Sequence, residues 1–199
     1  MRQQLAQEAA RLIAEEGIAD FNIAKQKAAL RLHAPHTHNL PRNDEIQQAL
    51  IEYQRLFKSD TQPHSLLRLR QTALKAMVFF KQFEPRLVGA VADGSANECS
   101  AITLHLFADS SEELYLFLIN QRIPYKLGSQ RFAMANEQHI ELPIYEMELE
   151  GCAIELIVFE RNGIRQAPRD PVTRGPMQRL GVEKVEELIR LTGSAQPQI

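Results

Sequence analysis

A short polar turn between two apolar segments carries residue types that can contact a phosphate. Residues 87–92 form an apolar run, Gly94 and Ser95 follow it, and residues 100–109 then alternate between apolar and polar side chains. Backbone amides beside a glycine, together with a serine hydroxyl, can form a concavity that binds an anion. We therefore predict that Gly94 and Ser95 contact a phosphate group.

The alternating segment predicts a half-buried β-strand. Because successive side chains of a strand point to opposite faces, Thr103 and His105 are expected to share one face. A later apolar segment, residues 152–159, contains a single carboxylate, Glu155, between Ile154 and Leu156. This segment is predicted to form a second strand of the same sheet.

The first third of the chain predicts helices. Gly17 suits the end of the first helix, Asp20 can cap the second, and Asn43 can cap the third. A fourth helix is expected over residues 64–82. The apolar positions of the early helices are predicted to pack inward, and they include Leu12, Ile13, Leu50, Leu56 and Phe57.

The middle of the chain predicts a small mixed β-sheet. A buried strand is expected over residues 87–92, and residues 138–149 should form a hairpin with residues 152–159 through a tight turn at Gly151. One helix is expected to start within residues 109–113, and another is expected over residues 181–191. The predicted fold class is α+β, a helical N-terminal layer plus a small mixed sheet. The predicted segments are residues 1–62, a core over 63–160, and an extended segment with a C-terminal helix over 161–199.

Composition excludes several classes of protein. The 199 residues are 44% hydrophobic and 24% charged, with a net charge of −2, so no overall basic charge favours nucleic acid. Cys99 and Cys152 give no disulfide framework, which favours a reducing compartment. No apolar segment is long enough to cross a bilayer. We therefore predict a cytoplasmic protein with no membrane partner.

Gly94-Ser95, the alternating strand, the helices on either side and the late strand bearing Glu155 together resemble the nucleotidyltransferase superfamily, which has the polymerase-beta-like fold. The resemblance covers about residues 66–159 and implies a nucleotidyltransferase-like sheet topology. In that family the Gly-Ser pair admits a nucleotide phosphate, and three acidic residues hold divalent metal, usually magnesium. By the family's spacing, the nucleotide-binding positions are Gly94 and Ser95, and the metal positions are Thr103, His105 and Glu155.

The substituted metal positions imply altered chemistry. Thr103 offers a neutral hydroxyl, and His105 suits zinc or another transition metal better than magnesium, so divalent metal should bind weakly or not at all. We expect a catalytically weakened nucleotidyltransferase-like protein that recognises a nucleotide or a nucleotide tail, with RNA or a protein as further partners. No catalytic residue is assigned. The alternative is an active nucleoside-monophosphate transferase with substituted ligands, for which Asp93, Glu98 and Asp109 are the first candidates.

Two further hypotheses concern the ends of the chain. Residues 8–18 resemble the first helix of tetracycline-repressor-type regulators, which leaves a DNA-binding regulator as an alternative function. The following residues 35–38 lack the turn of that family, so an amphipathic helical layer is preferred. Near the other end, residues 161–177 are rich in Pro, Gly and Arg. Arg161 and Arg174 there are candidate phosphate contacts, and a solvated linker is the alternative.

Overall fold

The computed structural model describes residues 1–18, 20–57, 62–136 and 138–194. The chain forms two compact units, and each is built from segments that are separated in sequence. The first unit holds Met1–Ser65, Ser95–Ser100 and Pro171–Arg174. The second holds Leu66–Gly94, Ala101–Asp170 and the chain from Gly175 onward. Within the described residues there are seven α-helices and one five-stranded mixed sheet, so the fold class is α+β.

Three helices dominate the first unit: α1 (Arg2–Glu16), α2 (Phe21–Arg31) and α3 (Asn43–Phe57). Gly17 ends α1 in the left-handed conformation, with φ 68°, as its sequence position predicts. The Asp20 carboxylate caps α2 by accepting hydrogen bonds from the backbone N–H groups of Asn22 and Ile23. Small and branched apolar side chains form the core between these helices, among them Leu5, Ala9, Leu12, Ala28, Ile46 and Leu50.

The predicted inward packing holds for part of the apolar stripe only. Leu12 and Leu50 are buried, and Ile13 is partly buried against the same core. Leu56 and Phe57 are instead 63% and 68% exposed. The last turn of α3 therefore extends past the core, and the prediction for these two residues is wrong.

The second unit combines a sheet with helices α4 to α7. These helices are α4 (Gln62–Phe79), which begins in the first unit, α5 (Gly89–Asp93), α6 (Ser111–Asn120) and α7 (Val182–Ser194). Short 3-10 helices cover Lys81–Phe83 and Arg161–Arg165. Thr72 and Lys75 of α4 both bond to the Glu150 carboxylate, which fixes α4 against the turn that precedes the last strand.

Five strands form the sheet in the order β1-β2-β5-β4-β3. Their bounds are β1 (Arg86–Val88), β2 (Ile102–Ala108), β3 (Lys126–Ala133), β4 (His139–Leu149) and β5 (Cys152–Glu160). β2 and β5 are parallel, and the other neighbouring pairs are antiparallel, so the sheet is mixed as predicted. β4 and β5 meet at Glu150 and Gly151, which have φ of 53° and 73°. Two successive positive values are typical of a tight hairpin turn.

Two of the predicted strand assignments need correction. The buried strand expected over residues 87–92 ends at Val88, and the apolar run continues as α5 from Gly89, which has φ 70°. An apolar run without alternation fits a buried helix as well as a strand, and here the left-handed glycine turns the chain. β3 was not predicted, because its exposed side chains and Gly128 give an edge strand little hydrophobic signal.

The two faces of the sheet differ in chemistry. Leu104, Leu106, Ile154 and Leu156 make one face continuously apolar and buried. The opposite face has a buried aliphatic and aromatic cluster that includes Phe107, Phe132, Ile144, Ile157 and Phe159. Helices of the described residues are all too short or too polar to span a membrane.

Candidate functional site on the sheet

Strand register places side chains in rows across the face that carries Thr103. One row, read from β3 to β1, consists of Lys126, Glu146, Glu155, Thr103 and Val88. The next consists of Gly128, Ile144, Ile157, His105 and Arg86. Registered residues of paired strands share a face, so the first row is polar and the second places one imidazole among apolar groups. We call this surface the Thr103 face.

Thr103 and Glu155 are bonded to each other across the parallel pair β2 and β5. The Thr103 hydroxyl donates to Glu155 Oε2 at 2.9 Å, and both residues are half-buried. The alternation of β2 predicted this placement, with Thr103 and His105 on one face and Glu155 beside them. The structure adds that the Thr103 hydroxyl is already hydrogen-bonded to the Glu155 carboxylate.

Glu146 lies opposite Glu155 on β4, so two carboxylates occupy neighbouring places in the polar row. Like charges directly opposite each other repel. Glu146 Oε1 lies 3.7 Å from the position that a Cβ atom on Gly128 would occupy. The Glu146 carboxylate thus leans toward β3, away from Glu155, and the absence of a side chain on Gly128 leaves it room.

His105 is the most deeply buried polar residue on this face, with 0% of its surface exposed. Its Nδ1 accepts a hydrogen bond from Arg179 Nε at 3.0 Å, which assigns the proton of the neutral ring to Nε2. Nε2 is buried and has no hydrogen-bond partner. Burial first, and then the positive charge of Arg179, lower the pKa of His105 from 6.5 to about 3. His105 is therefore neutral at physiological pH.

Arg179 lies over the aromatic cluster of this face. Its guanidinium carbon is 4.6 Å from the ring centre of Phe159 and 5.0 Å from that of Phe107, within cation–π range. Nη1 donates to the backbone carbonyl of Gly163 at 2.7 Å, whereas Nη2 is buried without a partner. Burial lowers the pKa of Arg179 to about 10, so the group stays charged near neutral pH.

Among the residues that the structure describes, no carboxylate balances the charge of Arg179. Arg86, in register with His105 on β1, lowers the pKa of Arg179 further. None of the ion pairs within the described part of the chain includes Arg179. The segment is held in place by Leu180, whose backbone pairs with Leu87 in both directions at 2.9 Å. The fold thus keeps a cation at this position, and the described part of the chain supplies it with no counter-ion.

The three predicted metal positions do not fit a magnesium centre. Magnesium requires nearly octahedral oxygen coordination. Here Glu155 is bonded to a neutral hydroxyl, and the imidazole of His105 faces a permanent cation that repels a dication. Across the residues that the structure describes, no three His, Cys, Asp or Glu side chains form a metal-binding group.

Gly94 and Ser95 have structural roles of their own. Gly94 ends α5 in the left-handed region, with φ 91°, and its N–H donates to the Ala90 carbonyl at 3.0 Å. That amide is therefore not available to a phosphate. Ser95 is buried, and its carbonyl accepts a hydrogen bond from Gln54 Nε2 at 2.7 Å. The pair follows a short helix, whereas the resembled family has it at the end of a strand.

Sequence reasoning missed two residues of the site. Glu146 alternates with apolar neighbours in β4, a strand that the sequence predicts. The register of the β4–β5 hairpin would have been enough to put Glu146 on the same face as Glu155. Arg179 gave no such signal. It lies 74 residues from His105 in a segment without periodicity, and the Leu87–Leu180 bridge brings that segment to the sheet.

The geometry expected of a DNA-binding helix pair is not present between α2 and α3. A helix-turn-helix joins its two helices by a turn of three or four residues. Here α2 ends at Arg31 and α3 begins at Asn43, with an irregular segment between them. Ala24, Ala28 and Ala29 bury one side of α2 in the core.

The comparisons with known proteins add no assignment. No protein-family model matches the chain, and no curated protein or solved structure is significantly similar to it. The chemistry of the Thr103 face therefore carries the functional argument.

Proposed function

We propose that this protein recognises a nucleotide, or the nucleotide tail of an RNA, as a nucleotidyltransferase-like protein with weakened catalysis. The observation that carries the proposal is Arg179, a half-buried guanidinium that lies against the candidate metal position His105 and has no carboxylate partner among the described residues. In this proposal a permanent cation takes over the charge neutralisation that metal ions supply in the resembled family.

Phosphate oxygens suit the unsatisfied donors of this site. Arg179 Nη2 and the protonated Nε2 of His105 are both buried donors without partners. A buried donor left unpaired costs about 1–3 kcal/mol, so an acceptor supplied by a ligand is favourable. Arg179 Nη2 can donate to one phosphate oxygen, because Nε and Nη1 already donate to His105 and Gly163, and Arg86 adds positive charge nearby. Together these features favour an oxyanion over a neutral ligand.

Glu155 can contact the sugar or base of the same ligand. The positions of Thr103 and His105 are separated by about 7 Å along the strand, which is within the length of one nucleotide. The second oxygen of the Glu155 carboxylate can accept from a ribose hydroxyl or a base amino group, as acidic residues do in other nucleotide sites. This assigns recognition to Glu155, while the neighbouring Glu146 carboxylate leans toward β3 and away from it.

The finer elements of this proposal follow from the resemblance. They comprise the nucleotidyltransferase-like sheet topology and partner RNA or protein bound through the same site, whereas the contact predicted at Gly94 and Ser95 is not included because the Gly94 amide donates to Ala90 and Ser95 is buried. The cytoplasmic location rests on the thiols of Cys99 and Cys152, which are both free.

The direct test is a titration of the protein with ATP in EDTA by calorimetry. Arg179→Gln removes the charge while leaving a hydrogen-bond donor, and we expect it to weaken ATP binding by about tenfold or more. Arg165→Gln is the matched control, because Arg165 is exposed in the same part of the chain. Arg179→Lys should retain part of the affinity, since the charge remains.

Two outcomes would overturn the proposal. One is a wild-type protein that binds neither ATP nor an oligonucleotide at millimolar concentration. The other is an Arg179→Gln variant that is folded by circular dichroism and binds ATP as tightly as wild type. Magnesium-dependent transfer by the wild type would instead support the alternative of an active transferase.

A further inference from the structure

A second candidate site lies wholly within the first compact unit, in a cavity of about 630 Å³. Pockets of this size hold small organic ligands. Its walls come from α2, from the segment leading into α3 and from the loop 171–174. The lining includes Asn22, Lys25, Pro41, Asn43, Val172 and Arg174.

Two cations of this cavity lie near each other. Lys25 is half-buried, and its Nζ donates to Asn43 Oδ1 at 2.6 Å. Burial, and next the positive charge of Arg174, lower the pKa of Lys25. Arg174 is held in the left-handed region with φ 61°, and Asn43 Nδ2 donates to the carbonyl of Pro171 in the same loop at 2.8 Å. Asn43 thus bonds to both sides of the cavity.

The neighbouring carboxylates are occupied elsewhere. Asp20 accepts the two cap hydrogen bonds of α2. Asp44 pairs with Arg42 at 2.9 Å. The Glu45 carboxylate pairs with Arg2 and also accepts from the Arg42 backbone N–H. These groups raise the pKa of Lys25, but burial and Arg174 outweigh them.

We propose that the cavity bounded by Lys25, Asn43 and Arg174 binds the dianionic phosphate group of a small phosphomonoester. Arg42 and Asp44 also line the cavity but pair with each other, so Lys25 and Arg174 match the nearly two negative charges that a phosphomonoester carries near neutral pH. The Lys25 ammonium has N–H donors in addition to the one bonded to Asn43, and the Arg174 guanidinium supplies a planar set of N–H donors. Leu40, Pro41 and Val172 give the cavity an apolar wall for the organic part of the ligand.

This site is independent of the one on the Thr103 face. It uses no residue of the second unit, and its ligand needs no metal. A failure of nucleotide binding at Arg179 would therefore not contradict the proposal for this cavity, provided that the two sites are observed separately.

Residue-resolved NMR separates them. The full-length protein, uniformly labelled with ¹⁵N, is titrated with inorganic phosphate, AMP and adenosine, as wild type and as Arg179→Gln. We expect phosphate and AMP to shift the amides of Asn22, Lys25 and Thr173 in both proteins. AMP should also shift Leu40 and Val172, and adenosine alone should shift none of these residues.

Variants of the two cations complete the test. Lys25→Met and Arg174→Gln should each raise the AMP concentration needed for half-maximal amide shifts by about tenfold or more. Lys25→Arg should retain much of the binding. Lys27→Met is the matched control, because Lys27 lies on the same helix but is ion-paired with Glu16. Unchanged spectra away from the cavity establish that each variant is folded.

The proposal is wrong if neither phosphate nor AMP shifts the cavity amides at millimolar concentration. It is also wrong if adenosine shifts them as strongly as AMP does. Equal binding by the folded Lys25→Met variant and wild type would show that the cations are not what holds the ligand.

Discussion

At the scale of single residues, the neutral and fully buried His105 sets the chemistry of the Thr103 face. Its Nδ1 accepts a hydrogen bond from Arg179 Nε, and Nε2 is left with the ring proton and, among the described residues, no partner. An imidazole in this state can donate a hydrogen bond to a ligand oxygen but cannot act as a base near neutral pH. In the proposed site, the role of His105 is therefore to donate to the ligand and not to act as a general base.

The pKa of His105 predicts how stability depends on pH. The folded pKa of about 3 is below the ordinary value of 6.5, so between these values the unfolded chain binds more protons. Stability is thus fully present above about pH 6.5 and falls as the pH drops toward 3. When the pH falls from about 7 to about 4, we expect the free energy of unfolding of wild type to decrease by up to about 3 kcal/mol more than that of His105→Gln.

Urea unfolding at the two pH values measures this difference. His105→Gln is a suitable reference because it does not titrate and its side-chain oxygen can still accept from Arg179. The carboxylates of the protein titrate equally in both chains and cancel. Equal losses in wild type and variant would mean that His105 is not held neutral by burial.

Residues of the site differ in how far the sequence predicts them. Thr103 and His105 follow from strand alternation, which depends only on local geometry. The position of Glu155 follows from a second strand with a recognisable turn. Arg179 does not follow, since an arginine in an irregular segment has no periodic neighbours and its contacts are set by distant residues.

At the scale of elements, the short helix α5 separates the apolar strand from the Gly94-Ser95 turn. The helix ends because Gly94 takes φ 91°, a conformation that side chains other than glycine rarely adopt. We predict that Gly94→Ala lowers the free energy of unfolding by about 1–2 kcal/mol, with or without ligand.

Thermal unfolding with Gly181→Ala as the control tests that prediction. Gly181 lacks a positive φ, and an added Cβ there meets nothing within 4 Å, so its substitution should be close to neutral. At Gly94 the added Cβ would also lie 3.5 Å from Arg70 Nη2. A Gly94→Ala protein as stable as the control would contradict the conformational role of this glycine.

Elements with strong local signals were predicted correctly, and the others were not. The cap at Asp20, the hairpin at Gly151 and the alternation of β2 each have a local cause. The early end of β1 depends on one glycine inside an apolar run, and β3 pairs as an exposed edge. Leu56 and Phe57 continue the apolar periodicity of α3, but they lie past the end of the core that α3 packs against. The periodicity of a helix does not show where its buried partner ends.

At the scale of the whole molecule, the compact units are discontinuous in sequence. Residues 95–100 belong with the N-terminal helices, where Asn97 Nδ2 donates to the Ile13 carbonyl at 3.1 Å. Residues 171–174 join the same unit through Pro171. Composition and local patterns divide a chain at contiguous boundaries, so an interleaved arrangement of this kind does not follow from them.

The charge arrangement of the molecule leads to the central claim, that a fixed guanidinium replaces catalytic metal in nucleotide recognition. Uncomplexed ATP carries more negative charge than its magnesium complex, so Arg179 should attract it more strongly. An active nucleotidyltransferase would show the opposite dependence, because its metals bridge protein carboxylates and phosphates.

The most direct measurement is the dissociation constant of wild type for ATP in EDTA and in excess magnesium, with release of pyrophosphate followed in the same samples. We predict binding in EDTA that is at least as tight as in magnesium, with no magnesium-dependent release of pyrophosphate. Binding that appears only with magnesium, or sustained release of pyrophosphate when magnesium is added, would contradict the claim.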